Sequence, residues 1–207
     1  RSVWGFTNSL YNGLFVSNPQ TFTNILGLGD SKMTSIYNWF DRCMINVNAT
    51  TPTNAFHEAP QRFASSGTTA AYWASNVQAS IAAAKETASK CIIILGANDC
   101  TSTFDTPTRN AFVTNYSTVL DALHAWNPTM EIWLGLPWRR NFDSNCDLIC
   151  DTLIPSIISG RSYCHLGMDE RVYIKAGDNG ATNTDDGIHP NAAGQAVFAT
   201  QYATLIA

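Results

Sequence analysis

The chain has little charge. Only 14% of its 207 residues are Asp, Glu, Lys or Arg, where globular proteins usually carry about a quarter. Its surface must rest on Ser, Thr, Asn and Gln, which fits a secreted or virion protein better than a cytoplasmic one. Positive charge is the scarcer sign: 12 Lys and Arg stand against 16 Asp and Glu, a net −4. That argues against a nucleic-acid partner, which calls for a basic face. No apolar run is long enough to span a bilayer. Internal repeats and low-complexity linkers are also missing.

Several signatures are absent too. The stretch GLGDS, residues 27–31, lacks the third glycine of a dinucleotide-binding turn. It also lacks the Gly-Lys-Ser/Thr of a phosphate-binding loop. Without a Gly-x-Ser-x-Gly elbow the chain is not an ordinary α/β-hydrolase. Cys146, Cys150, Cys164 and His165 could be drawn as a zinc site, but their spacing matches no familiar finger or ribbon. No metal and no organic cofactor is therefore expected. A disulfide among Cys146, Cys150 and Cys164 is the more natural expectation for a secreted chain. Arg1 opens the sequence, so it is expected to start inside a longer chain.

What is present suits one domain with a sizeable core: 45% of residues are hydrophobic. Residues 1–23 carry Trp4, Phe6, Tyr11 and Phe15 without periodicity, and read as an arm packed on a domain over 24–207. Within that domain, strands are expected at Asn24–Gly29, Pro60–Ala64, 91–96 (CIIILG), Met130–Leu136 and Arg171–Lys175. Helical spacing marks Lys32–Arg42, Thr69–Ala88, Asp105–Trp126, Asn145–Ser159 and Pro190–Ile206. Pro155 should kink or split the fourth of these, and Pro190 suits the first turn of the last. Strands alternating with helices imply a parallel sheet with right-handed crossovers, hence a three-layer α/β domain.

Ligands of such sheets gather beyond the carboxyl ends of the strands. Ser31, Gly67, GAND (96–99), PWRR (137–140) and DDGIHP (185–190) all fall there. Ser31 could be a helix cap or a nucleophile. A serine becomes a nucleophile when a base removes its proton, and a carboxylate can orient that base. Asp186 and His189 supply both groups on one turn, with Gly187 between them; Asp185 is the competing carboxylate. The Ser31 amide, the Gly67 amide and the Asn98 side chain are suitable donors to an oxyanion. Trp138 could stack on a sugar, and Arg139 and Arg140 could grip a carboxylate or phosphate. The plainer alternative is a loop whose arginines pair with surface acids.

These blocks resemble the SGNH hydrolases, also called GDSL esterases or lipases. GDS (29–31), Gly67, GAND (96–99) and DGIH (186–189) match the family's blocks in order. The resemblance implies a flavodoxin-like sandwich with a five-stranded parallel sheet. It implies Ser31, Asp186 and His189 as a triad, and Ser31, Gly67 and Asn98 as an oxyanion hole. Lys32 departs from the pattern, since the family has an apolar residue there. The expected activity is a serine esterase acting through an acyl-enzyme. The polar composition and the Trp138–Arg140 loop favour O-acetyl esters of carbohydrates. A lipase or lysophospholipase for longer acyl chains is the alternative within the enzymes. A glycan-binding module that has lost turnover is the alternative outside them.

Overall fold

The structure, a computed structural model, describes residues 25–34, 39–43, 61–84, 88–141, 143–175 and 180–206. The expected arm over 1–23 lies outside the described residues. So do 35–38, the middle of the helix expected at Lys32–Arg42. A 3₁₀ turn covers Ser31–Met33 at the start of that segment, and 39–43 are helical.

Five strands form one sheet: β1 (Ile25–Gly29), β2 (Gln61–Ala64), β3 (Lys90–Ile94), β4 (Glu131–Leu136) and β5 (Cys164–Asp169). They lie in the order β2-β1-β3-β4-β5, and every pair is parallel. Parallel sheets carry helices on both faces and bury their strands. Accordingly, all five residues of β1 are buried, as are Ile92, Ile93 and Ile94. Helices α1 (Ala70–Ala83) and α2 (Thr106–Trp126) separate the middle strands. Phe112, Tyr116, Val119, Leu120 and Leu123 of α2 are buried, the face their helical spacing marks. The Asp105 side chain caps α2 by accepting from the Thr108 amide at 3.1 Å.

Strand order reverses at β1. The chain leaves β1 for the β2 edge, then crosses to β3 on the other side. Such a switch point opens a crevice at the carboxyl ends of the two central strands. Ser31 follows β1 and Asn98 follows β3, so the topology sets them on either side of it.

Two expectations need correction. Arg171–Lys175 is not a strand: Arg171–Ile174 is a short helix, α5, and the fifth strand is Cys164–Asp169. Asp169 Oδ1 accepts from the Arg171 amide at 3.0 Å, a local turn that ends β5 and starts the helix. β5 was hard to read because it is an edge strand without clean alternation, and its Leu166 is exposed. The second correction concerns Pro190. It pairs with Thr184 in an antiparallel bridge, and the last helix, α7, begins at Ala192. Asn191 provides its cap, accepting from the amides of Ala193 and Gly194, each at 3.1 Å.

Pro155 acts as expected, by an unexpected route. The helix is interrupted rather than broken: α3 (Asp143–Leu148) and α4 (Ile154–Ile158) flank a π-helical stretch at Ile149–Leu153. Proline cannot donate to the carbonyl four residues back and crowds that turn. Widening the preceding turn is one way to relieve the clash. The short helix α6 (Gly180–Asn183) precedes the 185–190 turn.

Candidate active site

The Ser31 hydroxyl is not a cap. The residue capping the 3₁₀ turn is Asp30, whose Oδ1 accepts from the Lys32 amide at 3.0 Å. Ser31 Oγ instead lies 2.8 Å from His189 Nε2. His189 Nδ1 lies 2.7 Å from Asp186 Oδ2. Asp185 is not the partner of His189; its Oδ1 accepts from Asn191 Nδ2 at 3.2 Å.

The Asp186 carboxylate is held from several sides. Its Oδ1 accepts from the amides of Ile188 (2.8 Å) and His189 (2.7 Å), and from the Thr184 hydroxyl (3.1 Å). Partial burial pushes its acidity the other way, but the His189 ring and these amides outweigh burial and hold the carboxyl well below the usual range. These bonds favour the ionised form of Asp186.

Gly187 makes this turn possible. Its φ is +76°, and a Cβ built there would sit 2.7 Å from Arg140 Cδ. Gly187→Ala is expected to cost about 1–2 kcal/mol from the left-handed backbone alone, read as a lower urea midpoint. An unchanged midpoint would count against this picture of the turn. The same contact shows that the Arg140 stem packs against the Asp186–His189 turn.

Asn98 is tied into two neighbouring segments. Its Nδ2 donates to the Thr68 carbonyl at 3.1 Å and to Asp30 Oδ2 at 3.3 Å. Gly67, exposed and with φ +76°, forms the turn just before Thr68. The segments carrying Ser31, Gly67 and Asn98 are therefore brought together through Asp30 and Thr68. Asp99, next in the chain, takes the Ala70 amide on both carboxylate oxygens, each at 3.2 Å, and so anchors the start of α1.

Burial pushes the Asp99 carboxyl up to about 6, against the pull of the Ala70 amide. A folded value above the ordinary 3.8 gives a stabilising contribution that is full in acid and lost as pH rises through about 6. Asp99 should titrate near that value by carboxyl-carbon NMR, and Asp99→Asn should remove this part of the stability profile. A midpoint near 3.8 would contradict it.

Lys32 is the surprise. It is fully buried, and its ammonium forms an ion pair with the equally buried Glu170. Lys32 Nζ also donates to the Trp138 carbonyl at 2.6 Å. Burial alone would discharge Lys32, but the carboxylates of Glu170 and Asp30 hold its ammonium above the ordinary lysine value. Burial pushes Glu170 up, opposed by Lys32. Removing one member of such a pair typically costs about 3–5 kcal/mol. Glu170 was not picked out from the sequence. The available signal was Lys32 itself, because a lysine in an apolar position needs a buried carboxylate partner.

The remaining expectations fare unevenly. The Trp138 indole is 2% exposed and has the Lys175 ammonium 5.0 Å from its ring; it offers no face for a sugar. Its place after β4 pointed to the site, but its side chain turns into the core. Arg139 donates to the Ala97 carbonyl at 3.4 Å, while Arg140 is exposed. Cys146, Cys150 and Cys164 are free thiols and are not joined to one another. The sulfur facing Cys146 is that of Cys100, 2.9 Å away. Among the described residues no cluster suits a metal ion, and no helix is long and apolar enough to cross a membrane.

No protein-family model and no curated protein matches the sequence. Solved structures do match it. A carbohydrate esterase family 3 protein from Talaromyces cellulolyticus superposes with a TM-score of 0.65 at 18% identity, over 89% of this chain and 96% of that one. An acetyl esterase mutant with acetate ion gives 0.68 at 18% identity, with the same 89% and 96% coverage. A psychrotrophic esterase from Pseudoalteromonas sp., inhibited by monoethylphosphonate, gives 0.67 at 19%, again over 89% and 96%. Similarity at this level shows the fold: the chain shares with these structures a three-layer α/β fold built on a five-stranded parallel sheet.

Proposed function

We propose that the chain is a serine esterase that hydrolyses carboxylic esters through an acyl-enzyme, with short acyl groups such as acetate preferred. One observation carries the reading: the relay from Ser31 Oγ to His189 Nε2 (2.8 Å) and from His189 Nδ1 to Asp186 Oδ2 (2.7 Å). Both distances suit proton transfer and imidazole orientation. A relay of this kind does not by itself require catalysis, but a binding module has no need to keep all of it.

The steps follow from the geometry. Asp186 fixes the tautomer that carries hydrogen on Nδ1, leaving the Nε2 lone pair toward Ser31. As Ser31 Oγ attacks the ester carbonyl, its proton passes to Nε2. The carbonyl oxygen becomes an oxyanion, received by the amides of Ser31 and Gly67 and by Asn98 Nδ2. Asn98's bond to Asp30, 3.3 Å long, is the one exchanged for the oxyanion. Nε2 then returns the proton to the leaving alcohol. Water attacks the acyl-enzyme by the same route, and no metal or organic cofactor takes part in these steps.

Acetyl esters of carbohydrates are the favoured substrates. His189 and Asp186 are about half exposed, at 47% and 51%, so the relay opens onto the surface, which suits an acyl group carried on a bulky polar molecule. Polar side chains lie beside it: Asn98, Arg139 and Arg140. Arg140 is the exposed cation beside the relay, and Trp138 has no part in binding. Two of the similar structures are named as a carbohydrate esterase and an acetyl esterase, which agrees with this choice. Rates on nitrophenyl acetate and nitrophenyl palmitate test it. The acetate is expected to be turned over with at least about tenfold higher kcat/KM, the scale that a few methylenes set in a fitted site. Preference for the palmitate would favour the lipase alternative. Binding of an acetylated polysaccharide without any turnover would favour the binding module.

A further inference from the structure

Lys32 and Glu170 are buried ionised groups with no part in the steps above. The geometry points to them as a positioning pair that sets Ser31 against His189, an inference that rests on the esterase reading. Lys32 is the residue after Ser31, and Glu170 directly follows β5. Both close on the peptide groups of Trp138. The Trp138 carbonyl accepts from Lys32 Nζ at 2.6 Å, and its amide donates to Glu170 Oε2 at 2.8 Å. One residue of the loop after β4 is thus gripped through both of its backbone polar groups.

That loop reaches the rest of the site. Arg139 donates to the Ala97 carbonyl, next to Asn98, at 3.4 Å. The Arg140 stem lies where a Gly187 side chain would be, 2.7 Å from the built Cβ, and so supports the turn between Asp186 and His189. The pair therefore joins the residue beside the nucleophile to a loop that touches both the oxyanion segment and the base. An apolar residue at 32 could fill the same volume. It could not hold the Trp138 carbonyl or pair with Glu170. Because serine and imidazole must meet at hydrogen-bonding distance, a shift of about 1 Å between their segments is enough to cost about a hundredfold in rate.

The test separates positioning from stability. In Lys32→Met/Glu170→Met both charges leave together, so stability should recover relative to Lys32→Met. Trp138 nonetheless loses both partners. The double variant is expected to melt above Lys32→Met, yet to keep a kcat on nitrophenyl acetate at least about tenfold below wild type, with KM within about twofold. Recovery of kcat together with Tm would overturn the inference. Should the double variant fail to fold, Lys32→Met assayed below its own Tm carries the comparison, since it removes the donor to the Trp138 carbonyl. A folded Lys32→Met with wild-type kcat would overturn it too. In either case a wild type that hydrolyses the ester, and a Ser31→Ala that does not, leaves the esterase reading standing. A wild type without hydrolysis removes that reading and this inference with it.

Discussion

Ser31→Ala is expected to lower kcat on nitrophenyl acetate by about 10⁴-fold or more while leaving the fold intact. The size follows from what the hydroxyl does. Without Oγ no acyl-enzyme can form, and what remains is the rate provided by binding and oxyanion donors alone. The intact fold follows from what the hydroxyl does not do. Asp30, not Ser31, caps the 3₁₀ turn. The Thr34 hydroxyl donates to the Ser31 carbonyl, at 2.9 Å, and alanine keeps that carbonyl. Circular dichroism and Tm should therefore match the parent. Hydrolysis by Ser31→Ala at the parent rate would mean that another group performs the attack.

Asp186→Asn is expected to lower kcat by about 10⁴-fold, with the protein still folded. Asparagine has one acceptor oxygen where aspartate has two. Oδ1 now serves the Ile188 and His189 amides and the Thr184 hydroxyl, while Oδ2 serves His189 Nδ1. The asparagine oxygen must take the two-amide side, because an NH2 there would face two N–H groups. Its NH2 then faces Nδ1, which can only accept. The imidazole is driven to the tautomer with hydrogen on Nε2, and that nitrogen can no longer take the Ser31 proton. Activity should be restored in part at high pH if the imidazole tautomer is the cause, as hydroxide can assist Ser31 directly. A kcat within threefold of the parent would show that Asp186 does not set the tautomer.

The site was easier to read than the edges of the fold. Ser31, Gly67 and Asn98 follow β1, β2 and β3, while Asp186 and His189 share one turn ahead of the last helix, and short motifs of this kind are set by local backbone chemistry that the sequence carries plainly. β3 was legible because its β-branched run is uninterrupted. β5 was not, because Cys164–Asp169 lies at the sheet edge, mixes buried and exposed positions, and contains Gly167. The alternating Arg-Val-Tyr-Ile-Lys after it looked more like a strand than the strand did. Trp138 failed differently. Its position along the chain was right for the site, but whether an indole turns outward or inward depends on packing from distant elements. The same holds for Lys32. Its identity posed the question, and the answer, Glu170, lies 138 positions away along the chain.

The central claim is that Ser31 is the nucleophile. It is tested most directly by incubating the protein with an activated phosphonate ester and mapping the adduct by peptide mass spectrometry. One phosphonyl group per chain is expected on the peptide carrying Ser31, accumulating in step with loss of ester hydrolysis and failing to form in His189→Ala. A chain that hydrolyses nitrophenyl acetate but takes no adduct at Ser31, or takes it on a different serine, would contradict the account.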